Sequence, residues 1–446
     1  MTTRITPRRF NGTVTIPASK SHTIRQLLIA ALADGKSIIR QPLDSDDTRS
    51  CIAACKTFGA EITSREEKDG TISLHVQGVN GFKNSALKDA KIDAGNSGTT
   101  LFFALAIAGL QESPIFFTGD EQIQRRSAAP LLDALAGLGV QSKSNNGCTP
   151  ITIHGGWKGG RVSLSCPTSQ YLSALLIAAP LAPAGVVTEI DVPLLNEKPY
   201  VEMTLSYLKN NLQSASEKKS DAAEIKIAPD FSHFVIPGGS SWKAFSGSVP
   251  GDFSSAAFPA AAAAITGGRV TILGLDPEDS QGDKFFFDML KSMGCDVVWN
   301  NVDGARQVTV YRDRTLHGGT FDLNATPDLL PAAAVTAAFA EGDTALVNVA
   351  HARIKETDRV AVMAKELSKL GVDCTERPDG LIIHGKGGLP PGGFVHVIEG
   401  HGDHRIAMAF AVAALGSPVP IEITTAECTE VTYPGFWEMV NGTAAS

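Results

Sequence analysis

An α/β protein of two similar domains, assembled from six copies of one structural unit, is the architecture the sequence predicts. Six Ala/Leu-rich stretches, apolar nearly all round, open near Ser21, Gly95, Thr168, Phe253, Pro327 and Asp403, at intervals of 74, 73, 85, 74 and 76 residues. Between them recurs a second motif: an amphipathic helical segment, a Gly stop and an alternating strand. With 446 residues, 43% of them hydrophobic and 19% charged, the chain can form two or three globular cores, and disordered and fibrous classes are excluded.

A helix that is hydrophobic on every side must be enclosed by other elements, so the six apolar stretches are expected as central helices. Gly35, Gly109, Gly267, Gly342 and Gly416 follow apolar runs and suit positions just past a helix end. The second motif reads CIAACKTFGAEI, APLLDALAGLGVQS, FFDMLKSMGCDVVW and VMAKELSKLGVDCTE, with the strands ISLHV, ITIHG, VTVYR and LIIHG behind them. A weaker copy is VEMTLSYLKNNLQS, and a sixth is cut short at PGFWEMV, so the N-terminal strand is expected to complete the last repeat. Three units make each half. The chain is expected to cross between domains near Pro17 to Ser19 and near Pro250 to Gly251, which gives one domain at 19–250 and a discontinuous one at 1–18 and 251–446.

The 39 Lys and Arg against 47 Asp and Glu give a net charge of −8, which excludes a surface that tracks nucleic acid throughout and leaves room for a local cationic site. The first 18 residues lack the apolar region of a secretory signal. The longest apolar run, from Ser254 to Ile265, contains Pro259 and falls short of the roughly 20 residues a bilayer requires. Seven scattered cysteines without a CxxC pair point to free thiols in a reducing cytoplasm.

Polar residues gather where the buried helices begin: Lys20, Ser21 and Arg25; Asn96, Ser97, Gly98 and Thr99; Thr168, Ser169 and Gln170; Ser254 and Ser255; Asp328; Asp403, His404 and Arg405. Capping explains any one of them. It does not explain Lys20, Arg25 and Arg405, cations at the positive ends of helices, where an anion is the natural partner. Arg125 and Arg126 precede an exposed helix, and either suits a solvated surface. In residues 351–359 a helix would set Lys355 and Arg359 on one face beside Glu356 and Asp358, as a site or as a salt-bridged surface. The GLIIHGK segment at Gly380 imitates a phosphate loop but lacks its Ser or Thr and reads as a strand. His401 and His404 have no further ligands at metal spacing, so no metal is expected.

Taken together, PASKSHTIR, PLDSDDTR, GNSGTT, GDEQIQRR, TSQYLSALLIAAPLAP, EKPYVEMTL, PGDFSSAAF, SQGD, PDLLPAAA, RIKETDR and GDHRIAMAFA resemble the 5-enolpyruvylshikimate-3-phosphate synthase family over nearly the whole chain. The resemblance implies a two-domain inside-out α/β barrel, each domain three copies of a βαβαββ unit around buried parallel helices, with the active site in the cleft between domains that close on their substrates. It implies transfer of the carboxyvinyl group of phosphoenolpyruvate to the 5-hydroxyl of shikimate 3-phosphate, in aromatic amino acid synthesis, by a monomer without cofactor, nucleic acid or membrane. Lys20, Gly98, Arg126, Gln170, Arg359 and Arg405 would bind phosphoenolpyruvate. Lys20, Ser21, Arg25, Thr168, Ser169, Gln170, Tyr200, Asp328 and Lys355 would bind shikimate 3-phosphate. Asp328 would be the general base, Glu356 would handle the methylene proton, and Lys20 would be an acid near the leaving oxygen.

Some positions depart from the family pattern. Val431 replaces a Lys and Glu197 a Ser, and the latter would repel a substrate phosphate if it pointed inward. His351 and Ile24 each replace an Asn, Phe102 an Arg and Ser127 a Pro. A carboxyvinyl transferase for another acceptor, such as a UDP-N-acetylglucosamine enzyme, would carry a reactive Cys within GDEQIQRRSAAP, which has none. A catalytically dead anion-binding homologue would not need the proton-transfer pair Asp328 and Glu356.

Overall fold

The structure, a computed structural model, describes residues 1–81, 87, 90–214, 224–302, 305–392 and 396–442. The chain forms two compact units, Ser19–Val249, and Met1–Ala18 with Pro250–Ser446. The first holds α1 (Lys20–Leu32), α2 (Asp46–Thr57), α3 (Gly98–Ala108), α4 (Ala129–Gly137), α5 (Gln170–Ala178) and α6 (Lys198–Asn211). The second holds α7 (Phe253–Thr266), α8 (Phe285–Ser292), α9 (Leu330–Ala338), α10 (Arg359–Lys369), α11 (His404–Leu415) and α12 (Phe436–Asn441).

Odd and even helices do different jobs. Every residue of α3, α9 and α11 is buried, as the absence of a polar face requires. By contrast, α10 buries Arg359, Val360, Met363, Glu366 and Leu367, a spacing that lines one face, and turns the rest outward.

The strands repeat with the helices. The strand before a buried helix pairs in parallel with the strand after it: Ala90–Asp93 with Ile115–Thr118 around α3, and Thr320–Asp322 with Glu341–Val347 around α9. A parallel pair needs such a crossover, and the helix supplies it. The hairpin behind the even helix then adds two antiparallel strands, Gln141–Asn145 and Cys148–His154 in one repeat, Asp373–Arg377 and Gly380–Lys386 in another. The result is a β-α-β-α-β-β unit on a mixed sheet. Thr2–Ile5 pairs antiparallel with Ile421–Thr424, so the N-terminal strand does complete the last repeat. Asn11–Thr15 lies parallel to Arg269–Leu273 in the sheet that accompanies α7. Each sheet remains open among the described residues.

One local expectation changes, and one open point is decided. Of the five glycines, Gly267 terminates α7 in the left-handed conformation; Gly109 and Gly416 end α3 and α11 with negative φ, and Gly35 and Gly342 lie beyond the helix ends, Gly342 within a strand. Residues 351–359 are not one helix. Ala350–Ile354 is a short 3-10 turn, and α10 begins only at Arg359 because the Asp358 carboxylate accepts from Ala361 N at 3.0 Å and caps it there.

Candidate active site

In the unit of Ser19–Val249, the starts of three buried helices supply most of the predicted residues, while Arg126 follows a 3-10 turn and Tyr200 lies on α6. Lys20 opens α1 and its Nζ donates to Asp47 Oδ2 at 3.0 Å; Asp47 is itself buried on α2. The anion that tolerates this cation at a helix start is therefore within the chain. Arg25, one turn on and buried, donates through Nε to Thr204 Oγ1 at 2.9 Å and through its terminal nitrogens to the carbonyls of Ser21 at 3.1 Å and Tyr200 at 3.0 Å. Its guanidinium also lies over the Phe103 ring. Burial lowers its pKa to about 10, against the opposing pull of Tyr207, Tyr200 and Glu197.

Gly98 begins α3, which packs on α5. A Cβ at Gly98 would stand 2.8 Å from Arg126 Nη1 and 3.5 Å from Gln170 Oε1, so these three residues are neighbours. Arg126 Nη2 donates to Asn96 Oδ1 at 3.4 Å and Gln170 Nε2 to Thr99 Oγ1 at 2.8 Å. Arg125, by contrast, is exposed and pairs with Glu121. Thr168 and Ser169, ahead of α5, both donate to the buried carboxylate of Glu197.

In the other unit, one buried guanidinium organises the cluster. Arg359 donates from Nε to Asp403 Oδ2 at 2.8 Å, from Nη1 to Asp328 Oδ1 at 2.8 Å, and from Nη2 to Glu356 Oε2 at 2.6 Å and Asp403 Oδ1 at 3.2 Å. Arg405 Nη2 donates to Asp328 Oδ2 at 2.9 Å. Its Nε and Nη1 are buried and have no hydrogen-bond partner among the described residues. Two such N–H groups are costly unless an acceptor arrives. Asp403 also caps α11 through Arg405 N and accepts from Thr357 Oγ1. Burial pushes the Asp328 carboxyl up, but Arg405, Arg359 and Lys355 outweigh it, against Glu356, and hold it well below the usual carboxylate range. Burial likewise raises Asp403, and Arg359 pulls it back below its ordinary value.

The structure thus brings Asp328, Glu356, Arg359 and Arg405 together in one unit, with Lys355 close enough to act on Asp328 electrostatically. In the other it groups Gly98 with Arg126 and Gln170, and links Arg25 to Ser21 and Tyr200. Sequence reasoning did not assign Asp47 or Thr204 to the site. The paired acidic residues of PLDSDDTR were the signal for Asp47; Thr204 on α6 had none. Asp403 was noticed only as a helix start.

The departing positions fall into place locally. Ile24 is fully buried on α1, and Phe102 packs edge-on against Tyr171 with centroids 5.0 Å apart. His351 is buried with Nε2 3.1 Å from Asn324 O. Ser127 Oγ accepts from Ala129 N, and Val431 ends a 3-10 turn. His401 does have acidic neighbours: its ligand atom and those of Glu366 and Glu399 lie within 4.8 Å of one another. The buried Glu366 carboxylate is taken by Lys369, whose Nζ donates to its two oxygens at 2.8 and 2.7 Å.

One unit presents cations and hydroxyls at its helix starts, and the other joins Asp328, Glu356 and Asp403 through Arg359; both arrangements suit the handling of small anions and protons. The family model described as EPSP synthase (3-phosphoshikimate 1-carboxyvinyltransferase) matches residues 5–440, and the chain belongs to that family. It is 42% identical to the 3-phosphoshikimate 1-carboxyvinyltransferase of Acetivibrio thermocellus, over 98% of this chain and 96% of that protein. It is 41% identical to the protein of the same description from Methanococcoides burtonii, over 98% and 96%. A solved EPSP synthase from Acinetobacter baumannii superposes with a TM-score of 0.77 at 28% identity, covering 99% of this chain and 98% of the other.

Proposed function

We propose that this protein transfers the carboxyvinyl group of phosphoenolpyruvate to the 5-hydroxyl of shikimate 3-phosphate and releases inorganic phosphate. The observation that carries the reading is Arg405: two buried, unpartnered N–H groups beside a carboxylate that two guanidiniums already hold. Such a cation is built for a second anion, and arginine binds carboxylate and phosphate in bidentate fashion. Membership of the family supplies the identity of the anions.

In the addition step the hydroxyl oxygen bonds to C2 of phosphoenolpyruvate, its proton leaves, and C3 gains a proton. In the elimination step the C2–O bond to phosphate breaks and C3 loses a proton. Asp328 takes the hydroxyl proton, Glu356 serves C3, and Lys20 protonates the leaving oxygen. Without substrate, Asp328 is a weak base because Arg405 and Arg359 both donate to it. An anion that draws those guanidiniums away raises its proton affinity, so substrate binding and base activation are one event. Lys20, Gly98, Arg126, Gln170, Arg359 and Arg405 serve phosphoenolpyruvate. Ser21, Arg25, Thr168, Ser169, Tyr200 and Lys355 serve the acceptor, and the two units act on the same pair of substrates. The finer architecture is that of an inside-out barrel in each unit, and the protein works as a cytoplasmic monomer.

The test is phosphate release from phosphoenolpyruvate. It is expected only with shikimate 3-phosphate present; release with UDP-N-acetylglucosamine instead, or with no acceptor tried, overturns the assignment.

A further inference from the structure

Glu197 is a buried, hydrogen-bonded acidic residue outside the proton-transfer cluster. It sits immediately before α6 with φ +58°, in the left-handed region that a non-glycine residue seldom adopts, and only 2% of it is exposed. Its Oε2 accepts three hydrogen bonds: from Ser169 N at 3.0 Å, Ser169 Oγ at 2.8 Å and Thr168 Oγ1 at 3.1 Å. Ser169 consequently makes no side-chain cap to α5, the helix it precedes. Three donors converging on one oxygen, at the positive end of a buried helix, is the environment a phosphate oxygen seeks. Here a carboxylate of the chain itself fills it.

A carboxylate oxygen and a phosphate oxygen cannot take the same donors at once, and two anions forced together there repel in a poorly solvated setting. Resting on the reading above, in which Thr168 and Ser169 hold the acceptor, we propose that Glu197 is a specificity-determining residue. Its carboxylate is an internal competitor for the 3-phosphate, and the acceptor binds by displacing it from the Thr168–Ser169 cradle. The advantage of a phosphorylated acceptor over its unphosphorylated counterpart is thereby reduced. Removing the charge while keeping the shape restores that advantage.

The experiment is calorimetric titration of the full-length protein with shikimate 3-phosphate and, separately, with shikimate, for the native chain and for Glu197→Gln and Glu197→Ser. Thermal melts verify that each variant folds, and either variant suffices. The expected result is that Kd for shikimate 3-phosphate falls by about tenfold or more, the scale of relieving a like-charge contact, whereas Kd for shikimate stays within about twofold. An unchanged or weaker affinity for shikimate 3-phosphate overturns the proposal. So does an equal gain for both acceptors, which is what a general loosening of the α5–α6 region produces. If the native chain turns over shikimate 3-phosphate and the affinities do not separate, this inference fails and the assigned reaction stands. If no form binds shikimate 3-phosphate, the inference and the acceptor assignment fail together.

Discussion

Arg359 is almost wholly buried and donates to three carboxylates, of which Asp403 has no exposure at all. Replacing it with Ala would remove the cation that answers the fully buried Asp403 carboxylate, which costs about 3–5 kcal/mol; urea denaturation reads the loss directly. Arg405 is a different case, because on the proposed reading its unpartnered N–H groups receive phosphoenolpyruvate. Arg405→Lys keeps the charge and loses the planar fork, so kcat/KM for phosphoenolpyruvate is expected to fall by about 10²- to 10³-fold, the scale of removing an oriented donor. Fold stability is expected to change far less than in the Arg359 variant. At Gly98, an added methyl group would press on the mobile end of Arg126, so Gly98→Ala should raise KM for phosphoenolpyruvate with little change in the melting temperature. An unchanged KM would separate Arg126 from that substrate.

The start of α11 is both a structural cap and part of the charge cluster. Asp403 and Asp328 are held below their ordinary values, so the unfolded chain binds protons more readily than the folded one as the pH falls. The stability they contribute is therefore fully present above the ordinary Asp value of about 4 and is lost as the pH drops through their lower folded values. Asp403→Asn should be less stable at pH 7 and should show a shallower acid slope in denaturation measured at several pH values. A slope identical to the native one would show that this cluster is not the acid-sensitive element. The start of α7 offers a simpler comparison: Asp252 accepts from Ser255 N at 3.0 Å, and its replacement by Ala should cost about 0.5–2 kcal/mol. At α10, periodicity left open a helix through 351–359, and Asp358 decides otherwise. It caps α10 through Ala361 N and accepts from Arg353 Nη1 through both of its oxygens, so Lys355 and Glu356 lie in the approach to the helix and Arg359 at its first position.

For the molecule as a whole, the proposed reaction, in which residues of both units serve the same substrates, is expected to exclude water by closure. Small-angle scattering should show compaction with shikimate 3-phosphate and a phosphoenolpyruvate analogue both present, and unchanged dimensions would count against it. The repeat was legible in the sequence because burial on all sides leaves a direct mark: α3, α9 and α11 contain no exposed residue, and composition alone must reflect that. Likewise, the shortened sixth copy pointed to the N-terminal strand as the completion of the last repeat; which residues pair, Thr2–Ile5 with Ile421–Thr424, came from the structure. Pairings of polar groups left no such mark. That Lys20 meets Asp47, that Arg359 joins Asp328 to Asp403, and that Glu197 occupies the donors of Ser169 depends on side chains brought together across many residues. Apolar patterning is local and periodic, so the sequence alone determined the repeated elements and the family. Hydrogen bonds are directional and form only at about 3 Å, and the partners lie far apart in the chain, so which charge answers which was decided by the tertiary structure.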